Sequence, residues 1–361
     1  NFGDVFAGHV AARMGLPIER LIVATNVNDI LHRALSNGDY AAGTVTPTAA
    51  PSMDIQVSSN FERLLFDCGG RDGTALAEQM RGFEASKAMR LTNAQREGAA
   101  ALITSARADA NQMVQAMARD FAQGEVAPIA AEIDREARFP RETVKRLGEL
   151  GLLGIAVPER WGGSGADMVS YVVALEEVAR ACASHAAIMS VNNSLYCYPV
   201  LTFGTDAQRE EFLRPFASGR KLGAFALTEP EAGSDASNQR TLAVRDGEHY
   251  VVDGRKQFVT NGREADAVLV FCQTDTEKRS HGITALLVDK STRGLTVART
   301  EDKLGIRASD TAALVFEGCR VPVANRLGGE GMGFKIALAT LDGGRIGIAA
   351  QAVGIASAAY E

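Results

Sequence analysis

Apolar positions along this chain change their period from one region to the next. In residues 1–115 a short apolar run, residues 21–24, predicts a buried strand between amphipathic stretches. Before it, Asn1, Phe2, Gly3 and Asp4 form a polar, glycine-containing turn that opens a helix through Arg13. After it, residues 26–29 can cap a further helix over residues 30–35. Helix, strand, polar turn and helix in that order predict a doubly wound α/β region. Residues 85–120 are Ala- and charge-rich with helical periodicity. Residues 116–220 predict helices almost throughout, broken at Phe139-Pro140, at Val157-Pro158 and in the 161–165 loop, with apolar residues at helical spacing over 168–181 and 186–195. Residues 221–325 switch to short β-rich runs and predict an antiparallel β-domain. Asp246-Gly247 and Asp253-Gly254 are its hairpin signals, residues 250–252 and 257–260 flank the second turn, and residues 267–272, 282–288 and 312–316 are further strands. From Gly333 the helical period returns through Ile346, Ala349, Val353 and Ile355, so residues 326–361 begin another helical domain whose apolar face, left exposed, is an aggregation liability.

At 361 residues the chain can hold two or three domains, each with its own core. A content of 46% hydrophobic and 23% charged residues is that of a soluble globular protein. A net charge of −6 with no long basic cluster argues against nucleic acid as a partner. The 5 cysteines include no CxxC pair, which points to free thiols in a reducing compartment. The 5 histidines are scattered, so no metal site is expected. No signal peptide opens the sequence, and the apolar stretch over residues 346–360 is too short and too broken to span a bilayer, so a cytoplasmic protein with no membrane partner is expected. Asn1 in place of methionine and Glu361 inside a helical pattern give the expectation that both ends are cut.

Residues 225–235, Phe-Ala-Leu-Thr-Glu-Pro-Glu-Ala-Gly-Ser-Asp, carry the clearest chemistry. An apolar strand over residues 223–227 runs into Thr228, and Pro230 ends it. Gly233 can take a positive φ and let the backbone turn sharply towards a ligand. Ser234 adds a hydroxyl and a bare N–H suited to phosphate. Two hydroxyls flanking a Pro/Gly turn at a strand end predict a cofactor loop; the plainer alternative is an ordinary solvated turn.

These regions together resemble the acyl-CoA dehydrogenase family from about Met117 onward. The resemblance rests on the 227–235 loop and on Met189-Ser-Val-Asn-Asn-Ser-Leu195, Lys256-Gln-Phe-Val-Thr-Asn261, Glu301-Asp-Lys-Leu-Gly-Ile-Arg307 and Thr340-Leu-Asp-Gly-Gly-Arg-Ile-Gly347. Within the family it is most similar to the short-chain, butyryl-CoA type. The resemblance implies an FAD enzyme that oxidises an acyl thioester to its trans-2-enoyl product, a glutamate taking the α-proton while the β-hydrogen leaves as hydride to the flavin. It further implies that Phe225, Ala226, Leu227, Thr228, Gly233 and Ser234 line the flavin, that Phe258, Val259 and Thr260 pack against it, and that Ser234, Asp342, Gly343, Gly344 and Arg345 meet the acyl-CoA. Read without the family, Phe258 is first a β-domain core residue, and Asp342 and Arg345 are equally an exposed helical ion pair. A homotetramer and electron-transfer flavoprotein as electron acceptor complete the implied picture.

The family's catalytic glutamate is expected beyond Glu361, and the segment where a minority of members carry it holds Gly343 and Gly344 here. No catalytic residue is therefore assigned, and no turnover is expected; a non-catalytic flavin- or CoA-binding role stays open. The first 110 residues instead resemble threonine synthase, a PLP enzyme acting on O-phosphohomoserine. That resemblance rests on residues 1–8, on Ile22-Val-Ala-Thr-Asn-Val-Asn-Asp-Ile30 and on residues 51–64. It implies that Asn1, Phe2, Gly3 and Asp4 are a vestigial PLP-phosphate loop, at a helix N-terminus where free N–H groups favour an anion; a simple helix cap is the alternative. Two cut pieces joined between Ala110 and Asp120 without a linker imply a chimera, an assembly or gene-calling artefact rather than a bifunctional enzyme.

Overall fold

The computed structural model describes residues 2–48, 54–107 and 110–360. It divides into two compact units, Asn1–Val114 and Gln115–Glu361. The first contains α1 (Gly3–Arg13), β1 (Leu21–Thr25), α2 (Ile30–Asn37), β2 (Asp39–Ala41), α3 (Phe61–Cys68), α4 (Gly73–Ser86), β3 (Ala88–Arg90), α5 (Asn93–Ala100) and β4 (Ile103–Arg107). β1 and β4 pair in parallel with Leu21 opposite Ile103, and β2 pairs antiparallel with β3. Among the described residues the doubly wound expectation thus reduces to two two-stranded sheets. The helical expectation over 85–120 fails at β3 and β4, because Ile103 is drawn into the core beside Val23 and the pairing with β1 overrides the local helical propensity. The core of this unit is aromatic: Phe2, Tyr40, Phe61 and Phe83 are all buried, with Tyr40 stacked on Phe61 at 4.9 Å.

Helix α6 (Ala110–Phe121) leads through a π-helical turn, Ala122–Val126, into the helical block of the second unit. That block comprises α7 (Ala127–Arg135), α8 (Arg141–Glu149), α9 (Met168–Ala181), α10 (Ala183–Ser190), α11 (Tyr198–Phe203), α12 (Asp206–Phe212) and α13 (Arg214–Ala217). Arg119 of α6 bonds the buried Glu177 of α9 through both Nε and Nη2, at 3.1 and 2.5 Å. Between α10 and α11 the chain forms a π-helix, Val191–Cys197. Asn192 holds it in place by donating to Leu153 O and Phe216 O and accepting from Gly223 N.

An eight-stranded sheet follows: β5 (Gly223–Ala226), β6 (Leu242–Asp246), β7 (His249–Thr260), β8 (Ala267–Gln273), β9 (Ile283–Asp289), β10 (Leu295–Thr300), β11 (Thr311–Pro322) and β12 (Arg326–Leu327). The order is β10-β11-β7-β6-β8-β9-β12, with β5 added to β8 in parallel. The sheet is therefore mixed, where an antiparallel one was expected. β8 is buried on both faces, so its alternation divides two cores. Ala267, Leu269 and Phe271 face the helices, while Val268, Val270 and Cys272 face the interior of the sheet domain. Asp246-Gly247 does turn between β6 and β7, but Asp253-Gly254 lies inside the continuous β7. Gly254 is there because the backbone of Thr241 comes so close that a Cβ would meet its Cα at 2.6 Å.

The last helix, α14 (Gly333–Tyr360), packs on α9. Ile346, Ile348, Val353 and Ile355 are exposed, and the face turned inward is made of Gly344, Gly347, Ala350 and Gly354. Over residues 344–355 of this helix the large apolar residues thus lie outside and the small ones inside, whereas nearer its start Ile336 is buried in the core. No helix among the described residues is long and apolar enough to cross a membrane, and all five cysteines are free thiols.

Candidate functional site

A cavity of about 470 Å³ opens between the π-helix, the end of β5, β7 and α14. Its apolar walls are Val191, Leu195, Phe225, Leu227, Phe334, Leu338 and Leu341; its polar rim is Thr228, Ser234, Asp235, Gln257, Thr260 and Arg345. The loop from β5 reaches it through a tight turn, Glu229 N–H to Ala232 O at 3.1 Å and Ala232 N–H to Glu229 O at 3.2 Å, with Pro230 inside the turn. Gln257 of β7 donates its N–H to Thr228 O at 2.8 Å and its side-chain amide to Glu301 at 2.6 Å.

Underneath the loop lies an ion pair that the sequence motifs contained but did not single out. Lys256 has no exposed surface and donates to Glu229 Oε1 at 2.7 Å, Leu227 O at 3.1 Å and Gln239 Oε1 at 3.1 Å. Glu229 also accepts from Arg240 N at 2.6 Å and Thr241 N at 3.1 Å. Burial alone would raise the Glu229 carboxyl, but Lys256 and these N–H groups hold it below the ordinary glutamate value. Removing one partner leaves the other's charge buried, at a cost of about 3–5 kcal/mol.

The predicted flavin residues fall into two groups. Phe225, Leu227, Thr228, Gly233, Ser234, Phe258 and Thr260 line the cavity. Ala226 and Val259 do not; both are buried in the sheet core, since period-2 alternation turns them away from their cavity-facing neighbours. Phe258 is not a core residue: it is 61% exposed, and its φ of 56° lies in the left-handed region, costly for a non-glycine residue. Gly233, which is able to take a positive φ, does not adopt one; a Cβ there would meet nothing within 4 Å, so its contribution is open backbone at the cavity edge.

The predicted substrate residues are also divided. Arg345 lines this cavity, whereas Asp342 and Gly343 line a second one of about 350 Å³ with Tyr171, Asn193, Ser194 and Tyr198. Gly344 lies between, where a Cβ would stand 2.8 Å from Leu195 Cδ2. Asp342 and Arg345 form an ion pair at 2.8 Å, both side chains 73% exposed, as in the plainer reading of these residues.

The expected phosphate loop of the first unit has another arrangement. Asn1 lies outside the described residues, as do residues 51–53 of the third threonine-synthase-like motif. Phe2 is buried edge-on against Phe61 at 5.2 Å, and Gly3 and Asp4 form the first turn of α1. Among the described residues no group of histidine, cysteine and carboxylate side chains is placed to hold a metal ion.

The cavity's chemistry fits an isoalloxazine, a flat apolar ring with a polar edge. The side-chain hydroxyls of Thr228, Ser234 and Thr260 surround it and bond to no described residue of the protein, while the walls are aliphatic and aromatic. A helical block, a mixed sheet and a ring-sized cavity between them define a cofactor-binding enzyme class. Residues 108–220 match the acyl-CoA dehydrogenase N-terminal domain and residues 224–319 its middle domain. Over these residues the chain belongs to the acyl-CoA dehydrogenase family, oxidoreductases whose cofactor is FAD. It is 53% identical over 253 residues to the short-chain specific acyl-CoA dehydrogenase of mouse mitochondria (Mus musculus), 70% of this chain and 61% of that protein. The butyryl-CoA dehydrogenase of Megasphaera elsdenii superposes with a TM-score of 0.68 at 47% identity, over 69% of this chain and 66% of that one. An acyl-CoA dehydrogenase of Bacillus anthracis complexed with FAD gives 0.63 at 35% identity, over 68% and 41%. The chain thus spans 61% of the length of the mouse relative.

Proposed function

We propose that the second unit is the flavin-holding part of an enzyme that oxidises short-chain acyl-CoA to trans-2-enoyl-CoA in fatty acid β-oxidation. The observation that carries this reading is the ring of three hydroxyls, Thr228, Ser234 and Thr260, without partners among the described residues around an apolar cavity. FAD, when bound, supplies the acceptor for the hydride leaving the substrate β-carbon. Thr228 and Thr260 donate to the ring edge, Ser234 reaches the pyrophosphate and the substrate, and Phe258 lies against the ring. Arg345, with Asp342, Gly343 and Gly344, meets the acyl-CoA. The short-chain substrate class is supported by the names of the mouse and Megasphaera relatives. Electron-transfer flavoprotein as acceptor and assembly into a homo-oligomer complete the proposal on the resemblance. A cytoplasmic location and domain limits at 1–115, 116–220, 221–325 and 326–361 are proposed with them.

The α-proton needs a base. Among the described residues Asp235 is the one carboxylate lining the cavity, and its Oδ1 already accepts from Ser237 N and Oγ at 3.2 and 2.6 Å. These 361 residues by themselves are therefore proposed to bind flavin without turning over acyl-CoA. Titration of the purified chain with FAD and then butyryl-CoA tests both halves. Flavin bands that appear and do not bleach are the expected result. Absence of flavin uptake overturns the FAD reading, and bleaching by butyryl-CoA overturns the inactivity.

For the first unit we propose descent from a threonine-synthase-like PLP enzyme. Its motifs and the parallel β1–β4 pair flanked by helices support this. With Phe2 committed to the core, the unit is proposed to be inert towards PLP and O-phosphohomoserine; a stable PLP absorbance on the purified chain would overturn that.

A further inference from the structure

We infer that Lys256 is a positioning residue for the flavin, setting the Thr228 hydroxyl at the cavity edge by holding the chain on both sides of it. This rests on the FAD reading above. An ammonium has three protons to donate, and Lys256 has three acceptors: Leu227 O at 3.1 Å, Glu229 Oε1 at 2.7 Å and Gln239 Oε1 at 3.1 Å. Leu227 and Glu229 are the two neighbours of Thr228. The carbonyl of Thr228 itself is taken by Gln257 N–H, the residue next to Lys256 on β7. Three successive loop residues are thus fixed to two successive strand residues, while the Thr228 side chain, which lines the cavity, bonds to no described residue.

Glu229 extends the clamp by accepting from Arg240 and Thr241 N–H, so a single buried cation joins the loop, β7 and the segment before β6. Two residues beyond Lys256, Phe258 enters the same cavity through its left-handed backbone. The clamp therefore fixes both the hydroxyl rim and the strand that presents the aromatic wall. A buried ion pair is by itself weak evidence for stability, and apolar side chains of similar volume would fill the space, but they would leave Leu227 O and the Arg240 and Thr241 N–H groups without these partners. What they would lack is direction: only a three-proton donor can hold a main-chain carbonyl, a carboxylate and an amide in fixed mutual geometry.

The test compares wild type, Lys256→Met, Lys256→Met/Glu229→Gln and Gln239→Leu in the full chain. FAD affinity is read by flavin fluorescence, together with the visible flavin spectrum and the melting temperature. Lys256→Met is expected to lower both melting temperature and affinity. The double variant removes the orphaned charge; the single amide oxygen introduced by Glu229→Gln can keep the shorter of the two backbone contacts, from Arg240 N–H, and gives up the longer one from Thr241 N–H. It is expected to recover most of the melting temperature while binding FAD about tenfold more weakly, with a shifted flavin band. Adding Thr228→Val to it should change affinity little further, because both changes act through the same hydroxyl. Should the Lys256 variants fail to fold, Gln239→Leu still decides: it frees one ammonium proton without removing a charge, and a weaker affinity with a shifted band is expected, at a melting temperature lowered far less than by Lys256→Met. Wild-type affinity and spectrum in the double variant, or in Gln239→Leu if that alone folds, overturn the inference. Full additivity with Thr228→Val also overturns it. A wild-type chain that takes up no FAD overturns the cofactor reading and this inference together.

Discussion

Two loops in this chain carry glycine and polar residues in patterns suited to a phosphate-bearing cofactor, and the fold treats them oppositely. At Phe2, Gly3 and Asp4 the aromatic side chain is buried against Phe61 and the polar residues start a helix. At Thr228, Gly233 and Ser234 the hydroxyls bond to no described residue, the glycine is open, and a phenylalanine stands in strained backbone beside them. In the first, the aromatic residue completes a core while Asp4 stays exposed. The second is a set of groups that the core does not complete. A binding loop is distinguished by what its side chains leave unsatisfied, which residue types alone do not reveal.

The contrast can be broken most severely at Phe2. Phe2→Ala should destabilise the chain by about 3–5 kcal/mol in a denaturant melt followed by circular dichroism, without altering FAD uptake. A melt unchanged within about 0.5 kcal/mol would remove Phe2 from the core and reopen the loop as a site.

Acid separates the two units next. Burial pushes the His185 imidazole in the second unit from 6.5 down to about 4. Above pH 6.5 folded and unfolded chains both hold it neutral; between 6.5 and about 4 only the unfolded chain takes up the proton. Stability of the second unit should therefore fall by about 3 kcal/mol as pH drops through that window. The fluorescence of Trp161, the single tryptophan, reports it. His185→Gln, which can keep the 2.7 Å contact to Thr143, should flatten the slope. In the first unit burial would raise Asp67, but His9, Arg71 and Arg13 hold it well below the usual carboxylate range. Its contribution persists through the same window and is lost only below the ordinary aspartate pKa.

Phe258→Gly sharpens the comparison from the other side. Relief of the positive φ should raise the stability of the flavin-free chain by about 0.5–1 kcal/mol while FAD affinity falls about fivefold. Lower stability on both counts would make Phe258 a structural residue. The smallest effect is expected at the hydroxyls: Thr228→Val should cost about 1 kcal/mol of FAD binding and leave the melt unchanged.

Much of the second unit was legible in its sequence. The apolar spacing that predicts a helix over residues 168–181 coincides with α9, and Asp246-Gly247 turns where its chemistry requires. What was not legible depended on partners distant in sequence. Asp253-Gly254 has the composition of a hairpin turn and lies inside a strand because Thr241 crowds it. The glycine able to take a positive φ, Gly233, does not do so, whereas Phe258 does. Ala226 and Val259 looked equivalent to their neighbours until pairing fixed which face each presents. The seven-residue π-helix, held by Asn192, leaves no periodic signal that a helix would not.

The glycine face of α14 has a bearing on how this protein can change over time. A Cβ at Gly347 would stand 2.4 Å from Tyr171 Oη, and one at Gly354 would stand 2.4 Å from Glu176 O. Because two glycines seven residues apart meet fixed features of the same neighbouring helix, α14 has a single axial setting, as a key has one depth in its lock. A one-residue insertion or deletion between them would bring a bulkier residue against the Glu176 carbonyl, and no rotamer change could absorb it. Substitutions on the outer side of α14 should accumulate freely while its length between Gly347 and Gly354 stays constant, making this segment a ruler against which homologous chains can be aligned.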